Sequence, residues 1–431
     1  MAEWVQSFWE SGVAAGLPRS ARMSGTYHAY VPDPLEGRTV RIGGELSRRI
    51  ADAERAIRSL NGPDAHVLAA VSRFLLRSEA IASSRIEGVA PSARNVALAE
   101  LGRDERVTGV SQHAQLVANN LTIVQDASTR LAESAEVTVA DVEALHSALL
   151  TDQAQLHGIR KVQNWIGGSD FNPLQADFVP PPPGDVPALM ADLAGYINGA
   201  AHSPLVQAAL VHAQFETIHP FTDGNGRVGR ALVHTVLTRR GLTPTAVLPV
   251  SMVLSTFRES YLDGLTGYRY NGEPDTAEAV QGVGKWVAFF VGSATAAAEQ
   301  SRSVLEDITA LQRDWEQRLA TARISRGLRA RPRTDSATSQ ILGILPSAPV
   351  LTSRVVQRVL GVSPKAALEA LAELTAAGIL QTRRIAPSAT AYLAGELLDL
   401  ITFAERRLAS TRFDTRASSP RPPVPARPDD R

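Results

Sequence analysis

Cysteine is missing from this 431-residue chain. Its absence excludes disulfides, thiolate metal sites and the disulfide scaffold of a small secreted domain. Net charge is missing too: 44 basic residues balance 44 acidic ones, so bulk electrostatics makes no case for nucleic acid or membrane. No apolar run reaches the roughly 20 residues a bilayer span needs. The greasiest stretch, Trp286 to Ala298, is broken by Gly292 and Ser293. The opening MAEWVQSFWE has neither a basic start nor an unbroken apolar segment, which predicts no signal peptide and a cytoplasmic location. Lysine is scarce, at Lys161, Lys285 and Lys365 only, a bias that carries no functional reading. The chain is too long for one typical core, and two or three domains are expected.

Most of the pattern that is present is helical. Residues 1 to about 45, broken by Pro18, Pro32, Pro34 and Gly43-Gly44, read as an extended arm. Leu46, Ile50, Ala53 and Ile57 then fall near four-residue spacing, as on one helix face. Asn61-Gly62-Pro63-Asp64 reads as a stop followed by an N-cap candidate, and a second helix runs toward Ser83-Ser84-Arg85-Ile86-Glu87-Gly88. Helical patterns follow near 110–132, 138–151, 186–197, 204–218, 230–240, 251–265, 283–298 and 299–325. The one clear β feature predicted in the first 300 residues is a small hairpin between Gly158 and Pro183. Its arms are Lys161–Ile166 and Ala176–Val179, joined through Gly167-Gly168 and closed by four prolines.

The densest chemistry lies in His219-Pro-Phe-Thr-Asp-Gly-Asn-Gly-Arg-Val-Gly-Arg230. Gly224, Gly226 and Gly229 fit G-x-G-x-x-G, but a dinucleotide site needs a preceding strand and an acid about 20 residues on. Here an amphipathic helix precedes the glycines, and Leu242 to Val250 holds no acid. An anion-binding turn that opens a helix remains, with backbone N–H groups and a partial positive charge facing the ligand. Asp223 beside the turn can hold a phosphate-bridging Mg²⁺. Arg227 and Arg230, three apart, share a helix face and can reach one polyphosphate. His219 can accept a proton from an attacking hydroxyl.

On these residues the chain resembles the Fic family, whose pattern is H-P-F-x-D/E-G-N-G-R-x-x-R, and the similarity extends over roughly residues 25 to 298. The resemblance implies a mainly α fold, a Fic-type helical domain with a β-hairpin flap at Arg160–Pro183. It also implies that Arg258-x-x-Tyr261 and Trp286-x-x-Phe289-Phe290 are closing helices. It implies that AMP passes from ATP to a Ser, Thr or Tyr hydroxyl of a target protein. His219 would be the base and Asp223 the Mg²⁺ ligand. Gly224, Asn225, Gly226, Arg227, Val228, Gly229 and Arg230 would bind ATP, and Tyr261-Leu262 would stand where relatives often have two tyrosines at the adenine. Kinase-like relatives carry Lys at the position of Gly226, so the glycine favours adenylylation. The flap's free edge would take the target as an added strand. Ser83-x-x-x-Glu87-Gly88 is similar to the family's inhibitory pattern S/T-x-x-x-E-G/N. It implies that the Glu87 carboxylate competes with the γ-phosphate of ATP for Arg230, and that AMP removal could also use Glu87.

Residues 337–386 read as a separate small unit: a helix, a short helix capped by Thr352, a third capped by Ser363, then a wing at Ile379–Ile385. This is a winged helix-turn-helix layout. Arg354, Arg358, Lys365, Arg383 and Arg384 could meet DNA, while Glu369 and Glu373 oppose it. Such units also dock proteins, so a DNA-binding regulator with a nucleotide-sensing domain stands as the alternative. The expected division is 1–108 (arm and inhibitory helix), 109–298 (catalytic core), 299–336 (connecting helix and linker), 337–400 (winged helix-turn-helix) and 416–431 (disordered tail). A homodimer is compatible with this layout, and a membrane partner is not expected.

Overall fold

The computed structural model describes residues 1–12, 19–61, 65–103, 105, 107–387 and 389–411. The expected stop and N-cap at 62–64 and the tail at 416–431 lie outside these residues.

The chain opens with a hairpin instead of an arm. Strands β1 (Glu3–Trp9) and β2 (Gly25–Val31) pair antiparallel, with Trp4 opposite Tyr30 and Phe8 opposite Thr26. Both strands alternate in burial, as a half-covered ribbon must. The alternation is hard to read because a 15-residue connection, not a tight turn, joins the strands. Helices α1 (Gly44–Arg58), α2 (Ala65–Ile86), α3 (Ala93–Leu101), α4 (Gln112–Ser128), α5 (Arg130–Glu133), α6 (Val139–Leu149) and α7 (Val186–Asn198) follow.

The centre is a helical hairpin, α8 (Pro204–Ile218) and α9 (Asn225–Arg239). Every side chain of α8 is buried, so it is covered on all sides, while α2, α4, α7, α11 (Arg258–Tyr268) and α12 (Ala277–Ile324) pack around the pair and α10 (Val250–Thr256) packs on α2 and α12. α12 is one helix of 48 residues, about 72 Å long at 1.5 Å per residue. The sequence pattern had suggested two helices, split near 298–299. Nothing there stops the helix: no proline intervenes, and buried residues continue through Ala298, Ser301, Val304, Ile308, Trp315 and Leu319.

The C-terminal elements run α13 (Ala337–Ile344), β3 (Val350–Leu351), α14 (Ser353–Leu360), α15 (Pro364–Ala376), β4 (Gln381–Ala386), β5 (Ala389–Leu393) and α16 (Gly395–Thr411). The strands form one sheet in the order β3-β5-β4. Thr352 and Ser363 cap α14 and α15 through their hydroxyls, as expected of those residues before an apolar-periodic run. The unit packs on the rest of the chain. A single hydrophobic core runs from Ala2 to Leu408, and α12 delivers the buried Trp315 and Leu319 to it. The indole N–H of Trp315 donates to Glu396 at 2.9 Å. Among the described residues no helix is long and apolar enough to cross a membrane.

Candidate active site

α8 ends at His219, the one non-glycine residue with positive φ among those described (φ 49°, ψ 59°). This left-handed cap reverses the chain into the turn before α9. The peptide N–H of His219 donates to Phe215 at 2.9 Å, and its carbonyl accepts from the Arg160 Nε at 2.9 Å and from Asn164 at 3.3 Å. Arg160 is buried and also donates to the carbonyls of Pro181 (2.6 Å) and Ile218 (3.4 Å). It therefore fastens the flap to the backbone on both sides of the histidine. Burial pulls the His219 imidazole down to about 4, against the opposing influence of the Glu216 backbone and Glu87. The ring is neutral near pH 7, as a proton acceptor must be.

The turn is held from inside. Phe221 is buried and stacks on His146, ring centres 3.9 Å apart, and the His146 Nε2 meets the Asp223 carbonyl at 3.0 Å. The Asn225 side chain is spent on the turn: its oxygen accepts from Phe221 N–H at 2.9 Å and its amide donates to Phe221 C=O at 2.8 Å. The Asn225 side chain thus serves the turn, and the group it leaves for an anion is its backbone N–H at the helix start. The first intrahelical bond of α9 runs from Val228 N–H to Gly224 C=O. The amides of Asn225, Gly226 and Arg227 thus stand at a helix start, with Gly224 at φ 81° turning the chain into it.

Two motif positions do other work. The Val228 side chain is fully buried in the core. Gly229 allows α8 and α9 to touch: a Cβ there would lie 2.7 Å from Glu216 Oε1 and 2.8 Å from Phe215. At both positions the side-chain space is taken up by packing, so any contact with a nucleotide would come from the backbone. Gly226 is different, because a Cβ on it would collide with the Glu87 carboxylate. That carboxylate lies over the N-terminus of α9.

Glu87, immediately after α2, receives the Arg230 Nη2 at 2.7 Å. Ser83, one turn earlier, takes the rest of the guanidinium: Nε donates to its hydroxyl at 2.9 Å and Nη2 to its carbonyl at 2.8 Å. Burial works against the Glu87 charge, yet Arg230, followed by Arg227 and His219, holds the carboxyl below its ordinary range. Arg227 is as buried as Arg230 but poorly paired. It reaches Asp223 at 3.4 Å, while its Nε and Nη1 are buried without a protein partner. Two orphaned guanidinium donors beside a helix N-terminus suit an anionic ligand. The Asp223 side chain is more than half exposed at the mouth. Among the described residues no cluster of three His, Asp or Glu could hold a metal alone. One exposed carboxylate fits Mg²⁺ that takes its other ligands from phosphates and water.

Tyr261 and Leu262 differ in surroundings. Tyr261 is buried, stacked on His212 with its hydroxyl 2.9 Å from Nε2, whereas Leu262 is exposed. Adjacent helix positions point about 100° apart, which is why one of them enters the core and the other faces outward. The flap is also smaller than expected: a single bridge, Ile166 with Phe178, replaces two strands. Gln163 and Asn164 bond the carbonyls of Pro180, His219 and Phe221 instead of an opposing strand.

Glu216 was not singled out by the sequence reading. It is buried on α8 one turn before His219, its Oε2 4.0 Å from the imidazole Nδ1 and its Oε1 without a partner. His212 and Glu216 are the only ionisable residues of α8. With His219 they fall at i, i+4 and i+7, a stripe that could have flagged them. Burial raises the Glu216 carboxyl to about 7, with Arg230 opposing and Glu87 reinforcing the shift. The folded protein thus keeps a proton that the unfolded chain releases near 4.5, and stability falls as pH rises from about 4.5 to 7. The full loss is on the order of 3 kcal/mol. Glu216→Gln should therefore melt higher than the parent at pH 8, with a smaller difference at pH 5. Equal differences at the two pH values would contradict the shift.

Comparison with known proteins agrees with this geometry. The Fic/DOC family model matches residues 136–237, the span from before α6 to α9. This stretch is similar to a Fic domain. The protein adenylyltransferase Fic of Drosophila willistoni is 32% identical over 143 residues, covering 32% of this chain and 27% of that protein. Its Drosophila melanogaster counterpart is 30% identical over 143 residues, with 27% of its length covered. The matched segment thus spans about a quarter of these relatives. A Fic family protein from Desulfovibrio desulfuricans G20 superposes with a TM-score of 0.51 at 21% identity, over 82% of this chain and 97% of that one. That similarity extends the Fic fold well beyond the matched domain, while Ser83 and Glu87 lie outside the family model.

Proposed function

We propose that this chain is a protein adenylyltransferase that uses ATP and Mg²⁺ and is held in check by Glu87. The observation that carries the reading is the arginine pair at the start of α9: Arg227 buried with two unpaired donors, Arg230 held by Ser83 and Glu87 through Nε and Nη2. The curated relatives named adenylyltransferases support the same class.

In this reading the amides of α9 and Arg227 take the inner phosphates, and Arg230, once released, takes the γ-phosphate. Asp223 would hold Mg²⁺, which offsets charge on the polyphosphate. His219 accepts the proton of a Ser, Thr or Tyr hydroxyl; the oxygen forms a bond to the α-phosphorus, and the bond to the β-phosphate oxygen breaks, releasing pyrophosphate. The target lies along the flap, whose Lys161–Ile166 arm has few backbone partners. Gly226 suits this orientation of the nucleotide, since a side chain there would fill the space above the helix start. The test is labelled ATP with the Glu87→Gly protein. If neither that protein nor any lysate protein is labelled in a His219-dependent way, the reading fails.

A DNA-binding regulator is the second reading. The order α13–β3–α14–α15–β4–β5 matches a winged helix-turn-helix, and Arg354, Arg358, Lys365, Arg383 and Arg384 are exposed. Glu373 no longer counts against it, being turned inward to Arg323 and to Thr338. Glu369 still does, because it sits 3.9 Å from Lys365, the only lysine of α15. Retention of a labelled duplex by the full chain, weakening steeply with salt, is the result this reading requires.

A further inference from the structure

The turn that carries Glu87 has two neighbours. Ser83 and Glu87, four apart, face α9 and hold Arg230. Arg85 lies between them in sequence and so on the opposite side of the helix. There its Nη1 meets Glu405 of α16 at 2.7 Å, and the Glu405 side chain is only 12% exposed. The chain leaving this turn is held by the same C-terminal unit at three more points. Arg94 at the start of α3 pairs with Asp399 of α16 at 2.9 Å. Glu105 accepts from the hydroxyl of Thr352, the cap of α14. Thr108 donates its N–H (2.8 Å) and its hydroxyl (2.6 Å) to the carbonyl of Ile385 in β4. α3 also packs on α16 and on β3.

From this arrangement we infer that the C-terminal unit is the latch of the Glu87 switch: α16 holds the last turn of α2 through Arg85–Glu405, and displacing it frees Glu87 from Arg230. The inference rests on the proposed role of Glu87. The exposed Arg94–Asp399 pair contributes little by itself. The half-buried Arg85–Glu405 pair and the backbone bonds of Thr108 give the contact its position and stiffness. A partner that engages the wing or α14 would pull on the 105–108 segment, and the consequence would reach the phosphate site within one helix turn.

The test uses the full chain in four forms: parent, Glu405→Ala, the exchange Arg85→Glu with Glu405→Arg, and Glu87→Gly. Loss of one half-buried ion pair should raise His219-dependent labelling from ATP about fivefold in Glu405→Ala, with the exchange variant returning toward the parent. Amide hydrogen exchange of residues 84–89 should accelerate in Glu405→Ala and recover in the exchange variant. If Glu87→Gly labels strongly while Glu405→Ala matches the parent in labelling and exchange, the latch is overturned and the inhibitory role of Glu87 stands. If Glu87→Gly does not label, the adenylyltransferase reading fails. Amide exchange then decides the latch alone: unchanged exchange in Glu405→Ala overturns it, and acceleration that the exchange variant reverses supports it.

Discussion

Replacing Glu87 with glycine is expected to raise ATP-dependent labelling by about 10–100-fold. Arg230 donates two hydrogen bonds to Ser83 in the last turn of α2 and one to Glu87 just after it, the charged acceptor among them. A γ-phosphate must displace that carboxylate to be gripped, and a charge-assisted hydrogen bond of ~1.5–3 kcal/mol is what the competition withholds. The substitution also removes the carboxylate that lies over Gly226, where the nucleotide should run. A second consequence follows for stability. Without Glu87 the buried Arg230 keeps Ser83 but loses its counter-charge, so the variant should melt lower than the parent. ATP with Mg²⁺ should restore that loss in the variant and do less in the parent, because ligand stabilises only where it binds productively. Calorimetry with and without nucleotide reads this directly. Equal stabilisation of both proteins by ATP would mean that Glu87 and the nucleotide do not compete.

The parts of this molecule that the sequence exposes are those whose chemistry is contiguous. His219 to Arg230 is one turn and one helix start, so residue type and spacing fix what each group can do before any packing is known. Glu87 with Arg230 spans 143 positions, yet it was legible because Ser83-x-x-x-Glu87-Gly88 is itself a local pattern whose partner is a known arginine. What stayed hidden depends on tertiary burial. Asn225 is used by Phe221, Val228 by the core and Gly229 by α8, and none of these differs in sequence from a ligand-binding position. That Tyr261 is buried against His212 while Leu262 is exposed is likewise invisible in the sequence. Among larger elements, the alternation in β1 and β2 is obscured by their long connection, and the 283–298 and 299–325 patterns read as two helices although no break separates them. Gly292 is exposed, and the buried face passes it by. The C-terminal unit looks independent because its pattern is complete in itself. Trp315 and the bonds from 105–108 to Thr352 and Ile385 tie it to the rest.

His219→Asn, introduced into the Glu87→Gly background, is expected to lower labelling by about 10²–10⁴-fold while leaving the fold intact. Asparagine is the informative choice. His219 has φ 49°, a region that costs most L-residues roughly 1–2 kcal/mol but that Asn enters more readily because its side chain can bond locally. An alanine variant would confound a lost base with a strained cap. The contacts that set the turn are made by the backbone of His219, to Phe215, Arg160 and Asn164, and survive the change. What disappears is the imidazole as proton acceptor, and general-base groups of this kind contribute about 10²–10⁴-fold. The pH profile of kcat/KM adds an independent sign. Burial sets the imidazole at about 4 in the nucleotide-free protein, with Glu87 pulling upward, so removing Glu87 lowers it further. Labelling by Glu87→Gly should therefore show no acid limb from His219 between pH 8 and about 5. A limb centred near 6.5 in that variant would mean that His219 stands in water, without the burial that makes it a base here.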